Sequence, residues 1–353
     1  MQTRQTHIDA LKCIGSQLIV LHHFSAYGPV ADAAALAAPA LMGWLYDYAR
    51  MAVQIFLVLG GYLAMQGLLP AMRGDTAQLG RAVLLRYLRL ALPFCVAIVL
   101  AVAAAAVARQ GLHADFIPAP PGWGQALAHL FLLHDVVDAE ALSAGVWYVA
   151  IDLQLYALLA LLLWLGQRGA RPATALWLVA GLMLASLLHF NRDAGWDDWA
   201  PYFFGSYALG ALAWWAARSP HALRWLGLLA ALGVLALLLD WRTRIALALG
   251  VALLLIALHW RGPAVHTLPA AFARPLHALG RMSYALFLVH FPVLMLGNAL
   301  YARLGGSQPG EAVVALVLSV LASVALAFVF ERRIEAPLGR WINSSLRLKL
   351  KQA

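Results

Sequence analysis

Asp9-Ala10-Leu11-Lys12-Cys13-Ile14-Gly15-Ser16-Gln17-Leu18-Ile19-Val20-Leu21-His22-His23 is the stretch on which the reading of this chain turns. An otherwise apolar segment is interrupted by a lysine, a serine and paired histidines. On a helix, the step from Lys12 to His23 is about three turns, a rise of about 16 Å. Asp9, Lys12, Ser16 and His23 fall within about 60° of one another at helical spacing. The stretch therefore predicts a helix carrying one polar stripe. Ionisable groups at membrane depth are costly, so such a stripe faces a protein interior or a cavity and marks function.

The rest of the chain supports membrane depth. Of 353 residues, 63% are hydrophobic and only 12% charged, about half the charged fraction of a soluble domain. The apolar residues gather into runs of spanning length. Ten spans are predicted, at 8–26, 46–68, 83–107, 146–166, 174–190, 201–217, 223–240, 243–260, 279–301 and 311–332. The fold class is all-α, a polytopic membrane protein with about ten transmembrane helices. Residues 1–340 read as a single integral membrane domain and 341–353 as a basic tail.

Loop charge predicts the orientation, because cytoplasmic loops are enriched in Lys and Arg. With the N-terminus inside, most of the 25 basic residues fall on the cytoplasmic side and most of the 16 acids outside. Both termini are therefore expected in the cytoplasm, with the chain in the plasma (inner) membrane. The net charge of +9 is spread over many inner loops, so it does not point to nucleic acid. Small residues within 31–40 resemble a signal-peptide cleavage site, but Lys12 and the histidines break the apolar core, and the segment is expected to be retained. Cys13 and Cys95 read as packed thiols, and no Cys/His cluster of metal-binding type is present.

Two outer loops stand out. In 109–145 an apolar piece, Ala126–Leu133, is too short to span, and a re-entrant or interfacial helix is expected there. The loop is either a solvated cap or part of a substrate surface. In 191–199, acids mix with Trp196 and Trp199, which suits the membrane interface or sugar stacking.

Arg86 and Arg89 are spaced i, i+3 at the start of the third span and share a helix face. With Lys12 they suit the phosphates of a cytoplasmic ligand, or they are positive-inside anchors. Asp152 enters the fourth span at a depth similar to that of His23. A carboxylate on the imidazole would fix its tautomer and raise its basicity, as base catalysis on a hydroxyl requires; a structural Asp–His or Asp–Arg pair is the alternative. His22 points away from the stripe and reads as a packed or interfacial residue. His290, near the middle of the ninth span, lines a cavity, holds a carbonyl, or pairs with an acid at a span end. Trp147, Tyr148 and Ser283 are candidate oxyanion donors. A cationic inner rim joined by a polar stripe to a deep histidine fits an acyl-coenzyme A donor, whose pantetheine arm is comparable in length to the Lys12–His23 separation.

These residues resemble the acyltransferase-3 family of integral membrane O-acyltransferases over most of the chain. Asp9–Phe24 is similar to its opening span. Val53–Leu63 resembles the second-span signature, Arg86-Tyr87-Leu88-Arg89 with Pro93 its Arg-x-x-Arg motif, and Trp147 to Tyr156 its Trp-x-x-x-x-acid-x-x-x-Tyr segment. Ser283-Tyr284 to His290-Phe291-Pro292 and Glu335-Ala336-Pro337 match its closing motifs. Gln54 stands where Asp is common, Gly60 where Ser is usual, and Asp152 where Glu is usual. The resemblance implies transfer of an acyl group, most often acetyl, from acyl-CoA to a hydroxyl of a glycan or small extracytoplasmic molecule.

On this reading His23 and Asp152 are catalytic, and Lys12, Arg86 and Arg89 bind the donor. Trp147, Tyr148, Tyr156, Ser283 and His290 line the substrate site. No permanently bound cofactor and no metal are expected; acyl-CoA, with acetyl-CoA foremost, is a substrate. Partners are the acceptor, membrane lipids and polysaccharide-assembly proteins that deliver the acceptor. The rival from another class is a transporter or flippase for a sugar or lipid-linked sugar, using the same His, Lys and Asp as a proton relay. A sensor or assembly subunit without chemistry would require the whole stripe to be structural.

Overall fold

The computed structural model describes residues 6–71, 75–168, 173–261 and 269–349, and all regular structure among them is helical. The last four residues of the predicted basic tail lie outside the described residues. In chain order the α-helices are α1 (Thr6–Ala26), α2 (Pro29–Ala37), α3 (Pro39–Tyr48), α4 (Val53–Leu68) and α5 (Thr76–Ala108). There follow α6 (Trp123–Leu130), α7 (Trp147–Gln167), α8 (Thr174–Leu188), α9 (Ala200–Ala216) and α10 (Ala222–Leu239). The last five are α11 (Thr243–Arg261), α12 (Ala270–Arg281), α13 (Ser283–Arg303), α14 (Pro309–Phe330) and α15 (Ala336–Lys349). A 3-10 turn, Ala49–Ala52, joins α3 to α4, and a π-helical turn, Glu331–Glu335, joins α14 to α15.

The all-α membrane fold is as expected. Among the described residues, eight helical segments are long and apolar enough to cross a membrane, against ten predicted spans. The two that fall short are α1 and α9. In α1 the polar stripe dilutes the hydropathy of a helix of 21 residues, and α9 has only 17 residues. The segment containing α4 extends back through α3 to Pro39, earlier than predicted. The apolar piece of the 109–145 loop is a short helix, α6, beginning three residues before the expected start.

The chain packs as two compact units, each assembled from separated segments. One contains Val53–Tyr87 and Tyr148–Ala273; the other contains Asp9–Ala52, Leu88–Trp147 and Arg274–Ala353. In the first, α4 and α9 cross backbone to backbone. A Cβ on Gly61 would lie 1.8 Å from the Tyr207 carbonyl oxygen, and one on Gly210 would lie 1.9 Å from that of Val58. Only hydrogen fits at either position, which is how small residues let apolar helices approach. That crossing brings the Ser206 hydroxyl to donate to Gln54 Oε1 at 2.6 Å and lays the Tyr207 ring on Gly60.

In the second unit, α2 starts at Pro29 behind Gly28, whose φ of +88° suits glycine. Its free amide at Val30 donates to Asn298 Oδ1 of α13 at 3.0 Å. A side chain from a distant helix thus satisfies a helix-end donor that would otherwise be buried unpaired. Val30, Ala31 and Ala34 of α2 pack with Met42, Leu45, Tyr301 and Ala312 in one apolar cluster.

Candidate active site

The second unit holds His23, in the last turn of α1, and His290, on α13. His23 is 8% exposed and His290 fully buried. His23 Nδ1 and His290 Nε2 are 2.7 Å apart. The ring planes agree within 8° and the centroids are 4.9 Å apart. That separation is the nitrogen–nitrogen distance plus two ring radii, so the rings lie edge to edge along an in-line hydrogen bond and are not face-stacked.

The proton positions follow from His290's other nitrogen. Its Nδ1 lies 2.8 Å from the Phe287 carbonyl and 3.1 Å from that of Leu286. A carbonyl only accepts, so Nδ1 carries hydrogen. An imidazolium without a counter-charge at full burial is costly, which leaves neutral His290 with a lone pair on Nε2. His23 Nδ1 must then donate to it, and His23 Nε2 is the nitrogen left with a lone pair. Two backbone carbonyls thereby determine, through one histidine, which nitrogen of the other can act as a base. Gly145, at φ +78°, closes against this ring: its Cβ position lies 3.3 Å from His23 Cε1 and 3.1 Å from Phe287 Cε2.

The rest of the polar stripe is also partnered. Asp9 Oδ2 is 2.7 Å from His277 Nδ1 of α12. Ser16 donates to the Cys13 carbonyl at 3.0 Å. Lys12 acts electrostatically on Glu335 in the π-helical turn. Arg89 donates to the neutral amide oxygen Asn343 Oδ1 at 2.5 Å. His22 turns to the Leu45 carbonyl, 3.3 Å from its Nδ1, as a packed residue does. Trp147 opens α7, and Ser283 opens α13 as a buried residue.

The first unit holds a different cluster. Asp152, expected to orient His23, takes its hydrogen bonds from Arg86: Nη2 at 2.5 Å and Nε at 3.0 Å, both to Oδ2. The carboxylate is nearly buried, and a guanidinium is the partner that best offsets the cost of burying it. Arg86, expected on the donor's phosphates, thus has its charge matched within the protein, and its guanidinium carbon lies 5.3 Å from the Tyr156 ring centre. Tyr148 packs edge-on to Phe56. The predicted site residues therefore gather as two sets, His23 with His290 and Arg86 with Asp152 and Tyr156.

Three features had no usable signal in the sequence. Gly145 and Tyr207 look there like any loop glycine or helix aromatic, and the histidine pair joins positions 267 residues apart. Beyond the spans, His129 of α6 donates from Nδ1 to the Gln125 carbonyl at 2.8 Å and accepts from the Leu142 amide at 3.2 Å. Its ring stacks on His134 with centroids 4.4 Å apart, and both lie near Phe94. Burial pushes both imidazoles below their ordinary pKa.

All-helical architecture with eight segments of membrane-spanning length defines a polytopic membrane protein. A family profile described as an acyltransferase domain matches residues 6–331, and the chain belongs to that family, the acyltransferase-3 family whose motifs it carries. No curated protein and no solved structure matched the chain in the corresponding searches.

Proposed function

We propose that the protein is an O-acyltransferase that moves an acyl group, acetyl foremost, from cytoplasmic acyl-CoA to a hydroxyl of a glycan or other acceptor outside the membrane. The observation that carries this reading is the His23–His290 hydrogen bond in a chain of the acyltransferase family. His23 Nε2 takes the proton from the acceptor hydroxyl as its oxygen attacks the thioester carbonyl. The tetrahedral intermediate collapses with cleavage of the carbon–sulfur bond, and the departing thiolate takes the proton back from His23. The ester and free coenzyme A are the products. The orienting role expected of Asp152 passes to His290.

Arg89 and Lys12 would receive the donor's phosphates, Arg89 with the neutral amide of Asn343 beside it. The rise of about 16 Å from Lys12 to His23 along α1 matches the span of a pantetheine arm. The charge distribution supports an inner-membrane location with both termini in the cytoplasm. The test is mass spectrometry of surface and secreted glycans from cells lacking the gene, complemented with wild type or His23→Ala. Loss of one acyl increment, restored by wild type alone, is expected; full rescue by His23→Ala would refute the assignment of the base.

A further inference from the structure

Around the Arg86–Asp152 pair, one polar group remains unused. Tyr207 is 1% exposed, and its hydroxyl has no hydrogen-bond partner among the described residues. The ring lies over Gly60, where an added Cβ would sit 3.0 Å from Tyr207 Cε2 and 3.6 Å from Asp152 Oδ1. The hydroxyl is within electrostatic reach of Asp152 and Arg86 without bonding to either. Both Arg86 contacts fall on Asp152 Oδ2, and Oδ1 lies on the Gly60 side, 3.6 Å from the position of an added Gly60 Cβ. A buried donor left unpaired is expensive, and native proteins rarely keep one without a use.

We propose that Tyr207 and Asp152, side by side at Gly60, form a substrate subsite that binds a neutral group able both to donate and to accept: a hydroxyl or a secondary amide. Such a group donates to Asp152 Oδ1 and accepts from the Tyr207 hydroxyl. A phosphate would bring negative charge up to the Asp152 carboxylate, and Arg86 is already neutralised by that carboxylate, so an anion would enter with its charge unmatched. A thioester or ketone carbonyl could accept from Tyr207 but has no proton to offer the carboxylate. The two sources of the required chemistry are the pantetheine arm of the donor and a hydroxyl of the acceptor. The inference rests on the transferase reading above, and Tyr207 is a binding residue for that reaction.

The experiment is steady-state transfer by Tyr207→Phe, varying acetyl-CoA and acceptor separately, with thermal unfolding of the ligand-free protein alongside. Phenylalanine keeps the ring on Gly60 and removes only the hydroxyl. The expected result is a KM raised about three- to tenfold for one substrate, as loss of one neutral hydrogen bond predicts, with kcat nearly unchanged and Tm unchanged or higher. A raised KM for acetyl-CoA identifies the pantetheine group, and one for the acceptor identifies its hydroxyl. Gly60→Ala, whose Cβ would press on the Tyr207 ring and shift its hydroxyl, should raise the same KM. If both KM values match wild type, the subsite is refuted; a fall in Tm alongside unchanged KM values would assign the hydroxyl to a structural water. Absence of transfer by wild type would instead refute the transferase reading and this inference with it.

Discussion

Replacing His290 separates orientation of the base from binding of the donor. In His290→Leu the side chain keeps roughly its volume, but His23 Nδ1 loses the acceptor now 2.7 Å away. Nothing then holds the proton on Nδ1, and a donor on a residue only 8% exposed is left unpaired. An orphaned buried donor costs about 1–3 kcal/mol. If that cost falls on the reacting arrangement, kcat drops by roughly five- to 150-fold, at tenfold per 1.36 kcal/mol. The KM for acyl-CoA should hold, because the phosphate contacts proposed for Arg89 and Lys12 are untouched. His290→Gln places an amide oxygen near the lost Nε2 and should recover most of the rate. The assay is acyl transfer by purified enzyme with both substrates varied. A wild-type kcat in His290→Leu, or a glutamine variant no better than leucine, would refute the relay.

Three further outcomes follow from the same geometry. Gly145→Ala forces a side chain into the left-handed region beside the His23 ring, at about 1–3 kcal/mol; a lowered Tm together with reduced kcat is expected, and wild-type values for both would refute the contact. Asp152→Asn leaves Arg86 without its counter-charge and should destabilise by somewhat less than the roughly 3–5 kcal/mol of a fully buried pair, since the Arg86 side chain is 31% exposed; denaturation in detergent reads this directly. His129 and His134 are held below their unfolded pKa of about 6.5, so the unfolded chain binds protons first. Stability should be full above that value and decline as pH falls below it towards the folded values. His134→Phe, which keeps an aromatic stack without a titrating group, should flatten the acid limb of Tm against pH.

Much of this protein is written in local patterns. Membrane-length apolar runs, the basic bias of alternate loops and the 3.6-residue spacing of Asp9, Lys12, Ser16 and His23 are properties of neighbouring residues. Helices, their approximate ends and the polar face of α1 could therefore be derived directly. The ordered motifs from Asp9 to Pro337 carried the family. The limits of local reading appear at α1 and α9, where one stripe of polar residues and one short helix blur what counts as a span.

Partner choice is a different kind of property. Asp152 and His23 had matching predicted depths, but depth leaves rotation and neighbour unspecified. Helix packing decided that Arg86 meets the carboxylate, where opposite charges offset each other's burial. It decided equally that His290, 267 residues away in sequence, meets His23. The glycine crossing of α4 and α9 that carries Tyr207 to Gly60 depends on backbones approaching until no side chain fits between them. Such contacts arise only when distant segments compete for the same buried volume, so the chemistry of each ionisable group was open in the chain and closed by the tertiary structure.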